Sequence, residues 1–231
     1  GKPFFSWYNT SPDDQLVNLE VDLSSEAWSA IFHDTGTNTV RATDLAEDPV
    51  ADGTWYHVVA TYNGTTDTAS LYVDDTFIDS TTNASMGALE DQPMPLAIGA
   101  RADSPTATGI DARMFSLSIY DKVLDADERS ALYNSGNGGT YADFYTPSFG
   151  TNPTSTNLWG WWSLSDESDE AGTFSNLTNN NTATFTSGYN GNALTLDGVN
   201  QYLSLADQAW PTGAQTWAAF IKPANLTGTQ A

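Results

Sequence analysis

From Gln15 to Leu23 apolar and polar residues follow an alternating pattern, with Val17, Leu19, Val21 and Leu23 set against Asn18, Glu20 and Asp22. Successive side chains of an extended chain point to opposite faces, so this period of two predicts a strand with one face on a core and the other in water. The same period returns from Trp55 to Tyr62, where Tyr56, Val58, Ala60 and Tyr62 alternate with Trp55, His57, Val59 and Thr61 before Asn63-Gly64 breaks the strand. Leu71 and Val73 then alternate with Tyr72 and Asp74, and Asp74-Asp75 turns the chain into Phe77-Ile78, which together describe a β-meander. Segments 93–99 and 114–120 read as further strands. Helix is confined to one short stretch near 125–134, where Asp125 and Glu128 have capping-box spacing and Gly136 suits the stop. Short alternating segments separated by Gly, Asn, Asp and Pro predict an all-β sandwich and argue against a βαβ fold.

Between Gly138 and Thr156 the composition shifts to Gly, Thr, Ser, Pro and Asn, and Pro147 and Pro153 interrupt any regular element. We place a linker at 141–156. A new series of strands is expected beyond it, at 158–162, 193–196, 202–205 and 217–221. A length of 231 residues admits either one large β domain or two ordinary ones.

Charge narrows the partners. With 29 Asp plus Glu against 7 Lys plus Arg, the net charge of -22 repels phosphate backbones and anionic lipid, so nucleic-acid binding is not expected. No apolar run approaches the roughly 20 residues of a membrane helix, so membrane insertion is not expected either. The absence of cysteine excludes a disulfide framework, a thiolate metal site and a cysteine nucleophile.

The phrases Gly53-Thr-Trp55-Tyr-His57-Val-Val-Ala-Thr61-Tyr62-Asn-Gly64, Leu71-Tyr72-Val73-Asp74, Leu96-Ala-Ile98-Gly99 and Ile119-Tyr120-Asp121-Lys122-Val-Leu124 resemble the middle and end of a laminin-G-like jelly roll, a branch of the concanavalin A-like folds. Gly160-Trp161-Trp162-Ser-Leu164, Gly188 to Val199, Tyr202-Leu203 and Ala219-Phe220-Ile221-Lys222-Pro223 are similar to that family's beginning. The resemblance implies an antiparallel two-sheet jelly-roll sandwich, with residues 1–140 as its middle and C-terminal part and 157–231 as its N-terminal part. The parts stand in reversed order. A circularly permuted domain, a window cut from a tandem array, and a subunit whose two parts complete different sandwiches in a fibre are the three arrangements this allows.

The family resemblance also implies what to look for. Related glucanases carry Glu-x-Asp-x-x-Glu along one strand, and retaining hydrolysis needs two carboxyl groups about 5 Å apart. Glu20-Val-Asp22-Leu-Ser-Ser-Glu26 approaches that pattern, but its last spacing is one residue too long and Ser25 stands where the second glutamate belongs. Glu167-Ser-Asp169-Glu170-Ala-Gly172 has glycine at that place. A non-catalytic adhesion module with a glycan or other cell-surface ligand, working outside the cell or on a virion surface, is therefore the leading expectation. A self-associating fibre subunit comes second and a polysaccharide hydrolase third. Trp7, Tyr8, Trp28 and Trp210 lie near loops and are the expected sugar-stacking aromatics, with Glu20 and Asp22 as polar partners. Calcium takes carboxylate and carbonyl oxygens, and the acidic loops with Asp13, Asp14, Asp166 and Asp169 are its expected ligands. Phe115 and Ser116 stand where the family often has a calcium-binding aspartate. His57 is expected to be a hydrogen-bonded residue of the sheet.

Overall fold

The computed structural model describes residues 1–8, 15–22, 25–34, 38–44, 50–87, 89, 95–101, 104–141 and 157–226. The strands before the linker are β1 (Lys2–Tyr8), β2 (Gln15–Asp22), β3 (Ala27–His33), β4 (Thr39–Thr43), β5 (Tyr56–Asn63), β6 (Thr68–Val73), β7 (Thr76–Thr82), β8 (Leu96–Ile98) and β9 (Asp111–Tyr120). Those after it are β10 (Leu158–Trp162), β11 (Thr178–Asn180), β12 (Thr184–Ser187), β13 (Asn192–Asp197), β14 (Tyr202–Leu205) and β15 (Gln215–Pro223). Helix α1 (Pro105–Thr108) is a single turn, and α2 (Ala126–Tyr133) is the anticipated helix. Its capping box is formed: the Glu128 N–H donates to Asp125 Oδ1 at 2.9 Å and the Asp125 N–H to Glu128 Oε2 at 3.0 Å. Most of the linker, 142–156, lies outside the described residues.

Two antiparallel sheets face each other, a seven-stranded one ordered β11-β14-β8-β1-β2-β3-β4 and an eight-stranded one ordered β12-β13-β9-β15-β5-β6-β7, with β10 also paired to β9. Both sheets take strands from either side of the linker. The N-terminal strand β1 lies between β2 and β8, and β15 lies between β5 and β9.

Period-two patterning sends Phe5, Trp7, Val17, Leu19 and Phe32 of one sheet against Val58, Ala60, Tyr62, Trp217 and Ile221 of the other. Phe5 meets Trp217 across the interior at 6.4 Å between ring centroids. The eight-stranded sheet also has a covered outer face, where Val59, Tyr120, Trp161 and Ala218 pack with Leu124, just before α2, and Leu132 within it. That face explains why β5 is buried on both sides. In β9 a register shift near Ser116, whose φ is +56°, turns Phe115 outward while Leu117 faces inward. Phe115 thus packs beside Phe220 under Gly138. Gly138 has φ of +65°, and a Cβ there would sit 3.2 Å from both rings.

One expectation about β2 is corrected. Its Asn18 and Glu20 face was expected in water, yet both residues are 8% exposed. They lie in the middle of a wide sheet, where neighbouring strands shield short polar side chains.

Candidate functional site

The register of the seven-stranded sheet brings Ser6, Asn18, Ile31 and Arg41 into one cross-strand row and Glu20, Ser29 and Thr43 into the next. Asn18 Nδ2 donates to Glu20 Oε2 at 2.8 Å, Arg41 Nη2 approaches Glu20 Oε1 at 3.5 Å, and Arg41 also donates to Ser29 and Thr43. Asn18 Oδ1 is buried without a partner among the described residues. Asp22 follows Glu20 on the same face of β2 and is half-buried. The strand stops there, and Glu26, with φ of +50°, stands in the turn entering β3. The third carboxylate of the glucanase pattern is therefore off the strand, and Glu20 is an acceptor held by an amide and a guanidinium.

Three expected sugar-stacking residues are corrected. Trp7, Trp28 and Trp210 are buried. Trp7 shares the inward parity of Phe5 in β1, Trp28 meets Phe4 and Tyr56, and Trp210 is wedged among Trp7 at 4.6 Å, Trp159 at 4.0 Å and Trp217 at 5.7 Å. Proximity to a loop in sequence did not expose them, because each ring fills the space between the sheets. The side chain of Tyr8 lies outside the described residues, as do Asp13 and Asp14.

The acidic loop after β10 is organised by its own backbone. Asp169 accepts N–H groups from Trp161 at 3.2 Å, Ala171 at 3.0 Å, and Thr173 and Phe174 at 2.8 Å. Asp166 accepts the Ser168 N–H at 2.7 Å, and Glu170 accepts the Ser163 N–H at 2.7 Å. Burial pushes the Glu170 carboxyl up. Among the described residues no three His, Cys, Asp or Glu side chains converge as metal ligands. Replacing Asp169 by Ala is expected to destabilise the fold by about 1–3 kcal/mol, since four donors lose their acceptor, and equally in calcium and in magnesium. Thermal melts in both ions check this, and a loss seen only with calcium would make Asp169 a ligand.

The exposed aromatics lie elsewhere, on the outer face of the eight-stranded sheet. Phe77 of β7 is 57% exposed, pairs with Tyr72, and meets that ring edge-on at 5.7 Å. The Arg129 guanidinium of α2 lies over the Tyr72 ring, 3.9 Å from its centroid. Further along the face, Tyr133, His57, Phe220 and Tyr189 form a stacked series with successive spacings of 5.8, 4.5 and 5.5 Å. Trp55 closes the series 5.6 Å from Tyr189, which is 38% exposed. Burial foremost, then the charges of Asp74, Tyr189 and Asp75, push the Tyr133 phenol up. Asp74 Oδ1 also accepts the His57 N–H at 2.8 Å. Trp55 is partly buried and packs beside Phe220 and Phe115. The sequence signal that marks its face is parity: it is out of phase with the inward Tyr56 by one residue.

This is a two-sheet β-sandwich, with polar groups on one outer face and half-exposed aromatics beside carboxylates on the other. The laminin G type profile of the concanavalin A-like lectin/glucanases superfamily matches residues 3–128, more than half of the chain, and the chain belongs to that superfamily. No curated protein and no solved structure matches it. Among the described residues no helix is long and apolar enough to cross a membrane.

Proposed function

We propose that this protein is a non-catalytic adhesion module that binds glycans through the outer aromatic face of the eight-stranded sheet, acting outside the cell or on a virion surface. Family membership supports a carbohydrate-binding or adhesion role in general. The observation that carries the specific reading is the pair Trp55 and Tyr189, two half-exposed rings in contact next to Tyr133, Asp74 and Asp75. A pyranose presents apolar CH patches that pack on aromatic faces and equatorial hydroxyls that donate to carboxylates. The net charge of -22 favours neutral glycans over sulfated ones.

Titration of a panel of neutral oligosaccharides by calorimetry tests this. Tyr189→Ala and Trp55→Ala are each expected to weaken the best ligand roughly tenfold, equivalent to about 1.4 kcal/mol, while Glu20→Gln leaves it unchanged. The opposite pattern would move the site to the seven-stranded sheet. Incubation with β-glucans, galactans and glycosaminoglycans is expected to release no reducing ends above a heat-treated control. Turnover abolished by Glu20→Gln would make the protein a hydrolase.

A further inference from the structure

One end of the sandwich holds a cleft of about 310 Å³, built by three segments far apart in sequence. Tyr62, Gly64 and Asp67 come from the end of β5 and the turn after it, Met86 and Gly87 from the chain beyond β7, and Thr212 and Gly213 from the approach to β15. Tyr62 and Met86 are buried and form its floor. The Tyr62 ring is fixed by stacking on Phe32 at 5.3 Å, and its hydroxyl donates to Asp67 Oδ1 at 3.1 Å. Asp67 Oδ2 takes no hydrogen bond from the described residues.

Behind the wall stands a second carboxylate. Asp34 is buried and accepts the Gly87 N–H at 2.8 Å on Oδ2, and it also accepts the Asn38 N–H at 3.0 Å and the Asn38 side-chain amide at 2.8 Å. Burial, the hydrogen bond to Asp67, and the charges of Asp67 and Asp34 all push the Tyr62 phenol up, so it stays protonated and keeps an oxygen lone pair for a ligand. Among the described residues no Lys, Arg or His lines the cleft.

We propose that this cleft binds a primary ammonium group carried on a small polar body, with Asp67 Oδ2 as the charged acceptor and the Tyr62 and Thr212 hydroxyl oxygens as the neutral ones. The lining side chains offer acceptors but few free donors, because the Tyr62 hydroxyl is already committed to Asp67. That suits a group that only donates better than a neutral polyol, which needs both. A single carboxylate with a free oxygen balances one positive charge. Calcium takes six to eight oxygens, usually from several carboxylates, whereas among the described residues Asp67 is the one carboxylate lining the cleft. Met86 supplies apolar surface for the carbon next to the nitrogen. The site is independent of the aromatic face, so either can fail without the other.

The test is an amide chemical-shift titration of the intact protein with two amines, glucosamine and the amide of Nα-acetyl-lysine, each against its neutral N-acetylated counterpart. Saturable shifts at Gly64, Gly87 and Gly213 are expected with one or both amines by about 10 mM, and the better of the two identifies an amino sugar or a lysine side chain as the source. Both neutral counterparts should bind at least roughly tenfold more weakly. Asp67→Asn removes the charge and keeps the shape, since Asp67 has φ of +50° and Asn tolerates that region. Gly213→Leu fills the mouth without strain, because a Cβ at Gly213 meets nothing within 4 Å. Both variants should lose the titration while melting within about 2 °C of the parent, as ordinary surface changes do. Equal binding of the acetylated compounds, selective calcium binding lost in Asp67→Asn, no saturation by either amine, or titration retained in both variants would each overturn the proposal.

Discussion

Lowering the pH from 7 to 4.5 is expected to cost the folded protein about 2–3 kcal/mol through one side chain, His57. His57 is fully buried between Phe220 and Tyr133, its Nδ1 has no partner among the described residues, and burial pushes its pKa down to about 3. The unfolded chain takes up this proton near the ordinary imidazole value of about 6.5, whereas the folded chain resists it until near pH 3. The stabilisation is therefore complete above about pH 6.5 and is lost progressively as the pH falls toward 3. The carboxyls of Asp74, Asp111 and Glu170 act in the opposite direction. Burial raises each of them, so lowering the pH relieves a penalty that the folded state carries when they are ionised. The informative quantity is thus the difference between the urea-derived stability curves of the parent and His57→Phe. Phe keeps the stack and cannot titrate. The parent should lose stability relative to the variant between pH 6.5 and 4.5, and parallel curves would mean that His57 is protonated in the fold at no cost.

The second large effect concerns the order of the parts. We propose that the chain forms one circularly permuted sandwich, and that residues 1–140 expressed alone will not fold. Strand β15 supplies seven registered pairs to β5 and seven to β9, and it carries Trp217, Ala219 and Ile221 into the core. Without it β5 and β9 lose their shared neighbour, and the missing ladder and core contacts outweigh a total stability of about 5–15 kcal/mol. A protease site inserted within 141–156 provides the complementary measurement. The nicked protein should remain a one-to-one complex with a single cooperative melt, because the two fragments hold each other through both sheets. Independent folding of 1–140 would instead support two separate units. Concentration-dependent head-to-tail assembly of the intact chain, seen by sedimentation, would favour the fibre subunit, for which the exposed edge strand β7 is a ready pairing surface.

Much of the fold was legible because its signals are local. Alternation from Gln15 and again from Trp55 marked β2 and β5, Asn63-Gly64 and Asp74-Asp75 marked the turns of the meander, and the Asp125 and Glu128 spacing marked the capping box of α2. The candidate surfaces were much less legible. Parity within a strand says which residues share a face but not what covers that face. Val59 and Ala218 look like outward residues by phase, and the chain entering α2 buries them.

What the sequence by itself determined was the all-β class, the main strands of the meander, the helix with its cap, and a strongly acidic composition. Those follow from side-chain period, turn chemistry and charge, each readable within a few residues or from composition. Only the tertiary structure decided that Trp7, Trp28 and Trp210 belong to the core while Trp55 and Tyr189 rim an outer face. The same holds for the cleft that gathers Tyr62, Asp67, Met86 and Thr212 from three parts of the chain. The exposure of an aromatic ring and the neighbours of a carboxylate are set by which strands lie across from them, and that pairing joins residues more than a hundred positions apart, beyond the reach of any local pattern.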